Sequence, residues 1–458
     1  MAICKNDLLN LDITDISNLG YGIGHTPDGQ VVFVSGAVTG DTVKARVIKV
    51  SRSYLVAKTE AVLSASSVRS DTTFCDAPAA CGGCVYRNIS YEYEKQLKET
   101  YVRDVFSKAG LKDVIVNPIR SNDLCEGYRN KGQYPVASGK NGPVAGFYEV
   151  KSHKVIPEPV CRLHPPVFSE IVNTVCGFAK DNGISVYDEE TGTGLLRHIY
   201  LRIGKSTGQI MVCLVINGDA LPAEEDLIEK LRGTFLSIVS IQININKGNS
   251  NVILGQEYRV LYGTPYIEDC LCGCRFQIHP ASFFQVNHDM AELLYGFARE
   301  QLSLSGSEIL LDLYCGVGSI GLTMASGVYR LIGLDITPEA IDNAVANAEI
   351  NKISNAEFIC SDASEISSFL GSVDSNYPVV AVIDPPRKGT TPELIKALAE
   401  SAVSKVLYIS CNCETLARDC VLFRNSGFSL SSVTPFDLFP HTRHVETVVR
   451  LSRSDMNS

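Results

Sequence analysis

The feature that most narrows the fold is an alternation that begins at Glu308. Ile309-Leu-Leu-Asp-Leu313, Leu331-Ile-Gly-Leu-Asp335, Ala356-Glu-Phe-Ile-Cys360, Val379-Val-Ala-Val-Ile-Asp384 and Lys405-Val-Leu-Tyr-Ile-Ser410 are short apolar runs of strand length. Helical stretches such as Pro338–Ile350 and Pro392–Val403 separate several of them. Strands covered on both faces read as continuous apolar runs, and repeated βα units imply a doubly wound, Rossmann-like α/β sheet. Such sheets bind ligands at the carboxyl ends of their strands. The chemistry is therefore expected in the turns that follow these five runs.

The chain before Glu308 has a different texture. Asp12 to about Leu63 holds short alternating strands with glycine turns, which fits a small OB-like β-barrel better than a helical unit. Tyr91–Gly110 reads as a helix with Gly110 as its stop, and the stretch to about Asp269 mixes strands and helices as an α+β region. At 458 residues the chain is long enough for two or three domains of roughly 150 each. We divide it as a barrel over 1–63, a central domain over 64–270 and a catalytic domain over 271–458. No run approaches the roughly 18 apolar residues of a spanning helix, and Met1–Asn10 lacks a signal-peptide pattern. A soluble cytoplasmic protein is expected, with no membrane association and no obligate protein partner evident.

Asp312-Leu-Tyr-Cys-Gly-Val-Gly318 follows the first strand, and its glycines let backbone approach a ligand closely. Asp335, at the end of the second strand, is placed to bind both hydroxyls of a ribose. The lack of a full G-x-G-x-x-G favours S-adenosylmethionine, with one nucleoside and no pyrophosphate, over a dinucleotide. Asp362 follows the third strand, as an adenine contact or as a helix cap. Asp384-Pro-Pro-Arg387 ends the fourth strand in a stiff lip able to present Asp384 to a flat substrate. Ile409-Ser-Cys-Asn-Cys413 puts Cys411 at the same edge, and His444-Val-Glu446 lies in a late β segment. A thiolate and a carboxylate in one pocket suit a reaction in which carbon is both attacked and deprotonated.

Asp312–Gly318, Asp384–Arg387, Ser410-Cys-Asn412, His444–Glu446 and Phe283-Phe-Gln-Val-Asn287, in this order and spacing, resemble the RNA uridine-5 methyltransferases. The resemblance covers nearly the whole chain, since the N-terminal barrel is similar to the TRAM module of many members. It implies that Cys411 adds to carbon 6 of uracil and that Glu446 removes the carbon 5 proton. Gln285, Tyr314, Asp335 and Asp384 map onto cofactor-binding positions, and Phe284 onto one that handles the splayed base. Two residues depart from the family pattern: Cys413 stands where proline is common, and Asp335 where many relatives carry glutamate.

Among the 16 cysteines, Cys75-x5-Cys81-Gly-Gly-Cys84 and Cys161 supply four thiols. Chemistry alone leaves zinc and an iron–sulfur cluster open. The spacing resembles the [4Fe–4S] site of the family's ribosomal-RNA branch, which implies a cluster and makes large-subunit rRNA the expected partner over tRNA. Cys270-Leu-Cys-Gly-Cys274 reads as strand alternation with three small packing thiols on one face. The net charge of −10 does not advertise a nucleic-acid binder, but the stretch 129–164 is locally basic. It holds Arg129, Lys131, Lys140, Lys151, Lys154 and Arg162 against Glu149 and Glu158, with Tyr128, Tyr134, Phe147 and Tyr148 interleaved. We expect phosphates and unstacked bases there. The rival readings are an RNA-binding assembly factor without catalysis, a radical methylthiotransferase, whose C-x3-C-x2-C spacing and domain order differ, and an amine methyltransferase, which needs no cysteine.

Overall fold

A computed structural model of the chain describes residues 3–70, 75, 81–150, 152–157, 160–366 and 376–453. It divides into two compact units, Met1–Asp104 with Phe439–His444, and Val105–Leu438 with Val445–Ser458. No described helix is long and apolar enough to cross a membrane.

In the first unit, β1 (Leu8–Ile16), β2 (Tyr21–His25), β3 (Val31–Ser35), β4 (Thr42–Val50) and β5 (Tyr54–Ser64) close a barrel in the order β1-β2-β3-β5-β4. Alternate residues Leu11, Ile13, Val32, Val34, Val43, Ala45, Leu55 and Ala57 fill its interior, as the period of two requires. Gly22 is needed at the wall, because a Cβ there would lie 2.9 Å from the Ala37 carbonyl oxygen. Helix α1 (Tyr91–Lys108) begins in this unit, and Gly110 follows it at φ +85°. The buried Glu94–Lys98 ion pair on α1 (2.7 Å) holds the returning segment Phe439–His444. Lys98 donates to the Phe439 carbonyl at 3.1 Å, and Glu94 accepts the His441 backbone N–H at 2.7 Å.

The second unit contains two large sheets. β7 (Lys131–Gly139), β8 (Gly142–Ala145), β11 (Leu196–Ile203), β12 (Ile210–Ile216), β13 (Ile238–Ile245) and β14 (Glu257–Gly263) form a six-stranded sheet in the order β14-β13-β12-β11-β7-β8. The short pair β9 (Phe147–Tyr148) and β10 (Val155–Ile156) lies apart from it in the topology. One face packs Ile199, Leu201, Val212, Leu214, Ile241 and Ile243 against α2 (Pro166–Asp181) and α3 (Glu224–Thr234). The hairpin of β15 (Ile267–Leu271) and β16 (Cys274–Ile278) leads to α4 (His288–Leu302). The boundary expected at 270 therefore falls inside a strand.

β17 (Ile309–Leu313), β18 (Arg330–Asp335), β19 (Ala356–Cys360), β20 (Val379–Ile383) and β21 (Val403–Ser410) are parallel, joined by antiparallel β24 (Glu446–Arg453). With β22 (Phe428–Ser429), β23 (Ser432–Phe436) and β6 (Ile115–Val116) they make a nine-stranded sheet in the order β19-β18-β17-β20-β21-β24-β23-β6, β22 pairing beside β24. β6 comes from the stretch assigned to the central domain, so chain order and sheet membership do not coincide. The connecting helices are α5 (Ser319–Met324), α6 (Pro338–Ile350), α7 (Pro392–Glu400) and α8 (Cys413–Asn425). Proline at the first turn starts α6 and α7, where its missing N–H is harmless. The Thr391 and Asn412 side chains cap α7 and α8 by accepting from the backbone N–H groups of Leu394 and Glu414.

Candidate active site

Sheet register brings the candidate residues together. Leu313 pairs with both Leu334 and Ile383, so Tyr314, Asp335 and Asp384 leave three adjacent parallel strands at one level. Ser410 pairs with Thr447 across the antiparallel β21–β24 ladder, which makes Cys411 and Glu446 the next opposed positions. Antiparallel opposition is what lets a residue at a strand's end meet one at its neighbour's beginning.

The lip after β20 is fixed by polar contacts rather than by regular structure. Asn412 Nδ2 and Thr415 Oγ1 donate to the Arg387 carbonyl at 3.0 and 3.3 Å. Asp419 is buried and accepts from Thr390 N–H (2.9 Å) and the Tyr408 hydroxyl (2.7 Å). The Tyr314 hydroxyl and Thr390 Oγ1 lie 3.2 Å apart, tying the glycine turn to the same lip. Tyr314 itself sits at φ +68°, an unusual conformation for a side chain of that size and one that concentrates at functional sites.

Negative charge is crowded at this edge. Burial lifts Asp384 from its ordinary 3.8 to about 7. Burial, with the charges of Asp384 and Asp335 against a hydrogen bond from the Gly321 N–H, lifts Asp312 to about 7 as well. Glu446, only 4% exposed, is pushed well above the carboxylate range by burial first and by Asp384 second, with Arg387 opposing. Burial and then Glu446 and Asp384 push the half-buried Cys411 thiol up to about 11, against the Arg387 cation and its hydrogen bond. Arg387 therefore acts on both Cys411 and Glu446, a position that the tetrapeptide did not reveal.

The expected cofactor residues are arranged at the same edge. Asp335 accepts from the N–H groups of Gly316 (3.0 Å) and Thr337 (2.9 Å), which holds its carboxylate at the strand end. Gly316 and Gly318 take φ +54° and +78°. Gln285 hydrogen-bonds the buried Tyr295 hydroxyl, 3.2 Å from Ser319 Oγ. Asp312 Oδ2 accepts the Gly321 N–H at 2.8 Å, while its Oδ1 is buried without a partner among the described residues. A ligand bearing a sulfonium and an ammonium group fits this edge, since its charge offsets the crowded carboxylates. Asp362 is already engaged as a cap, accepting from Ser364 N–H and Oγ, which lowers its pKa.

Three expectations need correction. Phe284 does not reach a base, because it is 2% exposed and packs on Phe276; its neighbour Phe283 is 67% exposed. Cys270, Cys272 and Cys274 do not share a strand face. Cys272 and Gly273, at φ +49° and +82°, form the two-residue hairpin turn, with Cys270 and Cys274 on different strands. Tyr128 and Tyr134 are buried rather than lining a groove. Of the basic stretch, Arg162 pairs with Glu126, and Lys151 and Glu158 lie outside the described residues. Cys413 is buried at the start of α8.

What the 128–131 stretch does is hold Phe283–Asn287. The Asn130 N–H donates to the Val286 carbonyl (2.8 Å), and Asn130 Nδ2 to that of Gln285 (2.9 Å). Arg202 donates to the carbonyls of Ser282 (2.9 Å) and Phe284 (3.0 Å). Asn287 caps α4 and donates to the Leu438 carbonyl at 3.0 Å. The four candidate metal thiols are half-buried, with Cys75, Cys81 and Cys84 in the first unit and Cys161 in the second. Among the described residues no group of three or more His, Cys, Asp or Glu is gathered that could hold a metal ion.

The family model described as tRNA (uracil-5-)-methyltransferase matches residues 225–454, and the TRAM domain model matches 4–59. An uncharacterized RNA methyltransferase of Halalkalibacterium halodurans is 36% identical over 448 residues, covering 98% of this chain and 97% of the relative. One from Clostridium tetani is 36% identical over 452 residues, covering 99% and 98%. Among solved structures, the Pyrococcus abyssi tRNA (uracil-54, C5)-methyltransferase in complex with S-adenosyl-L-homocysteine is similar at a TM-score of 0.77 and 26% identity. The match covers 97% of this chain and 100% of that one.

Proposed function

The chain belongs to the tRNA (uracil-5-)-methyltransferase family, and from that premise we propose that this S-adenosylmethionine-dependent RNA uracil-5 methyltransferase works through a covalent Cys411–uracil intermediate on large-subunit (23S) ribosomal RNA. The observation that carries the covalent route is the opposition of Cys411 and Glu446 across β21 and β24, with Asp384 beside them in the electrostatics of both.

Carbon 5 of uracil is a weak nucleophile. Addition of the Cys411 thiolate to carbon 6 converts the ring to an enolate with electron density at carbon 5. S-adenosylmethionine, when bound by Gln285, Tyr314, Asp335 and Asp384, supplies an electrophilic methyl group for that carbon. Glu446 then accepts the carbon 5 proton. The electrons of that C–H bond restore the ring double bond, and the bond to Cys411 breaks. A carboxylate held above its usual range is a stronger base than one in water, which is what this proton transfer needs. Arg387 favours the thiolate before addition and again as it leaves.

Four thiols at Cys75, Cys81, Cys84 and Cys161 are the proposed ligands of a [4Fe–4S] cluster. The reading rests on their spacing, the flexible Gly82-Gly83 between two of them and the family resemblance. The described residues alone do not assemble the cage, and no catalytic step passes through it. Cys81→Ser should lower bound iron and visible absorbance; unchanged iron would remove this ligand set. A cytoplasmic location follows from an rRNA substrate.

A second reading, the same chemistry on tRNA, is favoured by the substrate of the Pyrococcus abyssi enzyme. Nucleoside mass spectrometry of separated rRNA and tRNA, from cells with and without this gene, decides between them. Loss of 5-methyluridine from large-subunit rRNA supports the proposal. Loss from tRNA alone overturns the substrate and keeps the reaction.

A further inference from the structure

The face of the six-stranded sheet opposite α2 and α3 carries an arrangement that the fold does not require. Arg202 on β11 is directly opposed to Lys131 on β7, as the antiparallel register shows. Opposed residues point to the same face with Cβ atoms roughly 5 Å apart, and like charges in that relation destabilise a sheet. Arg202 is 0% exposed, and Lys131 is half-buried. Arg129 lies two residues before Lys131, and among the described residues none of the three cations makes an ion pair with a carboxylate. Burial, then Arg202 and Arg129, push the Lys131 ammonium from 10.5 down to about 8.

Arg202 meets only neutral oxygens, donating through its terminal nitrogens to the Ser282 and Phe284 carbonyls and to the Tyr200 hydroxyl at 3.3 Å, while its buried Nε has no partner among the described residues. These bonds orient the guanidinium without cancelling its charge. The other faces of the problem are also unfavourable, since the neighbouring positions on this sheet face, Tyr200, Met211, Cys213, Ser240 and Gln242, bring no carboxylate. A buried guanidinium apposed to a half-buried ammonium, in a chain of net charge −10, stands against both electrostatics and composition. Among the described residues no carboxylate pairs with either cation, and of the two it is Lys131 that reaches solvent.

We infer that Lys131, with Arg202 opposed to it and Arg129 two residues before it, is a binding site for one backbone phosphate of the RNA substrate, placed beside the Ser282–Asn287 segment that carries Gln285. Lys131 makes the direct contact, and Arg202 supplies a fixed positive field and holds the segment. A phosphate there anchors the strand beside the segment that carries the exposed Phe283. The inference rests on the reading of the chain as an RNA methyltransferase and adds where the strand is gripped.

The test measures RNA affinity at several salt concentrations, and thermal stability with and without inorganic phosphate, for the full-length protein and Lys131→Met. Methionine keeps the unbranched stem and removes the charge. Loss of one phosphate contact should reduce the slope of log affinity against log salt by roughly 0.7 to 0.9. The variant should also melt higher than wild type and lose stabilisation by phosphate. A substitution that merely damaged the sheet would lower the melting temperature instead.

An unchanged slope in Lys131→Met, with wild type showing steep salt dependence, overturns the phosphate site and leaves the methyltransferase reading intact. An unchanged slope with loss of bound iron also overturns it, because the cations would then serve the cysteine site. Failure of wild type to bind or methylate any RNA strikes the functional reading itself.

Discussion

The carboxyl edge of the nine-stranded sheet and the outer face of the six-stranded sheet hold charge of opposite sign under similar strain. At the edge, burial lifts Asp312 and Asp384 to about 7 and pushes Glu446 well above the carboxylate range. On the other face Lys131 is lowered to about 8 beside Arg202. A hydrophobic core of this size has no need of either cluster, and each is best relieved by a ligand of the opposite charge. The edge suits the cationic end of S-adenosylmethionine, and the face suits a phosphate. The difference teaches that a net charge of −10 averages over two regions of opposite charge and reports on neither.

The strongest way to break this comparison is at the nucleophile. Cys411→Ala should reduce methyl transfer by at least roughly a thousand-fold while RNA binding persists, because the acid edge and the cation face act separately. Assays of methyl transfer and of RNA retention on one preparation decide it; substantial residual transfer would remove Cys411 from the mechanism. Glu446→Gln should slow turnover by roughly 10²- to 10⁴-fold and accumulate covalent RNA–protein complex on denaturing gels. Absence of that complex at reduced turnover would argue against Glu446 as the carbon 5 base.

The electrostatics can be sharpened through the pH dependence of Cys411 alkylation by iodoacetamide. Asp384→Asn removes a negative neighbour, so the midpoint should fall from about 11. Arg387→Gln removes the opposing cation and hydrogen bond, so the midpoint should rise. Shifts in the same direction would show that burial, rather than these charges, governs the thiol.

The smallest expected effect is on stability against pH, where the two regions should move in opposite senses. Asp312 and Asp384 bind protons up to about 7 when folded but release them near 3.8 when unfolded, so their contribution is lost as pH rises through that window. Lys131 releases its proton near 8 when folded and near 10.5 when unfolded, so stability recovers as pH rises between those values. Calorimetry across the range should show Asp312→Asn flattening the first limb and Lys131→Met removing the second. A Lys131→Met curve that superimposes on wild type above pH 8 would show that the Lys131 cation is not strained.

Much of the sheet's carboxyl edge was legible in the sequence because it is built from local signals. A strand end followed by glycine, by Pro-Pro or by Ser-Cys-Asn marks its own position, and Ile309–Leu313 and Pro338–Ile350 fall where the pattern put them. The barrel was legible for the same reason, through its period of two. What was not legible depends on distant pairing. That Arg202 faces Lys131, or that β6 joins a sheet whose other strands begin nearly 200 positions later, is a matter of register and topology. Burial misled the reading in one direction. Tyr128, Tyr134 and Phe284 look like RNA contacts in sequence, yet each fills a core, while Phe283 and Arg387 acquire their interest only from exposure and position. The hairpin cysteines misread for a simpler reason: Cys272-Gly273 is a turn, and alternation stops at a turn.

The central claim is that Cys411 bonds to the target uridine, and trapping that bond tests it most directly. RNA carrying 5-fluorouridine, incubated with the full-length protein and S-adenosylmethionine, has no carbon 5 proton for Glu446 to remove. Tryptic mass spectrometry should then find a methylated fluorouridine adduct on the peptide containing Cys411, and none with Cys411→Ala. Methylation of unmodified RNA without any such adduct, or an adduct on Cys413, would contradict the account.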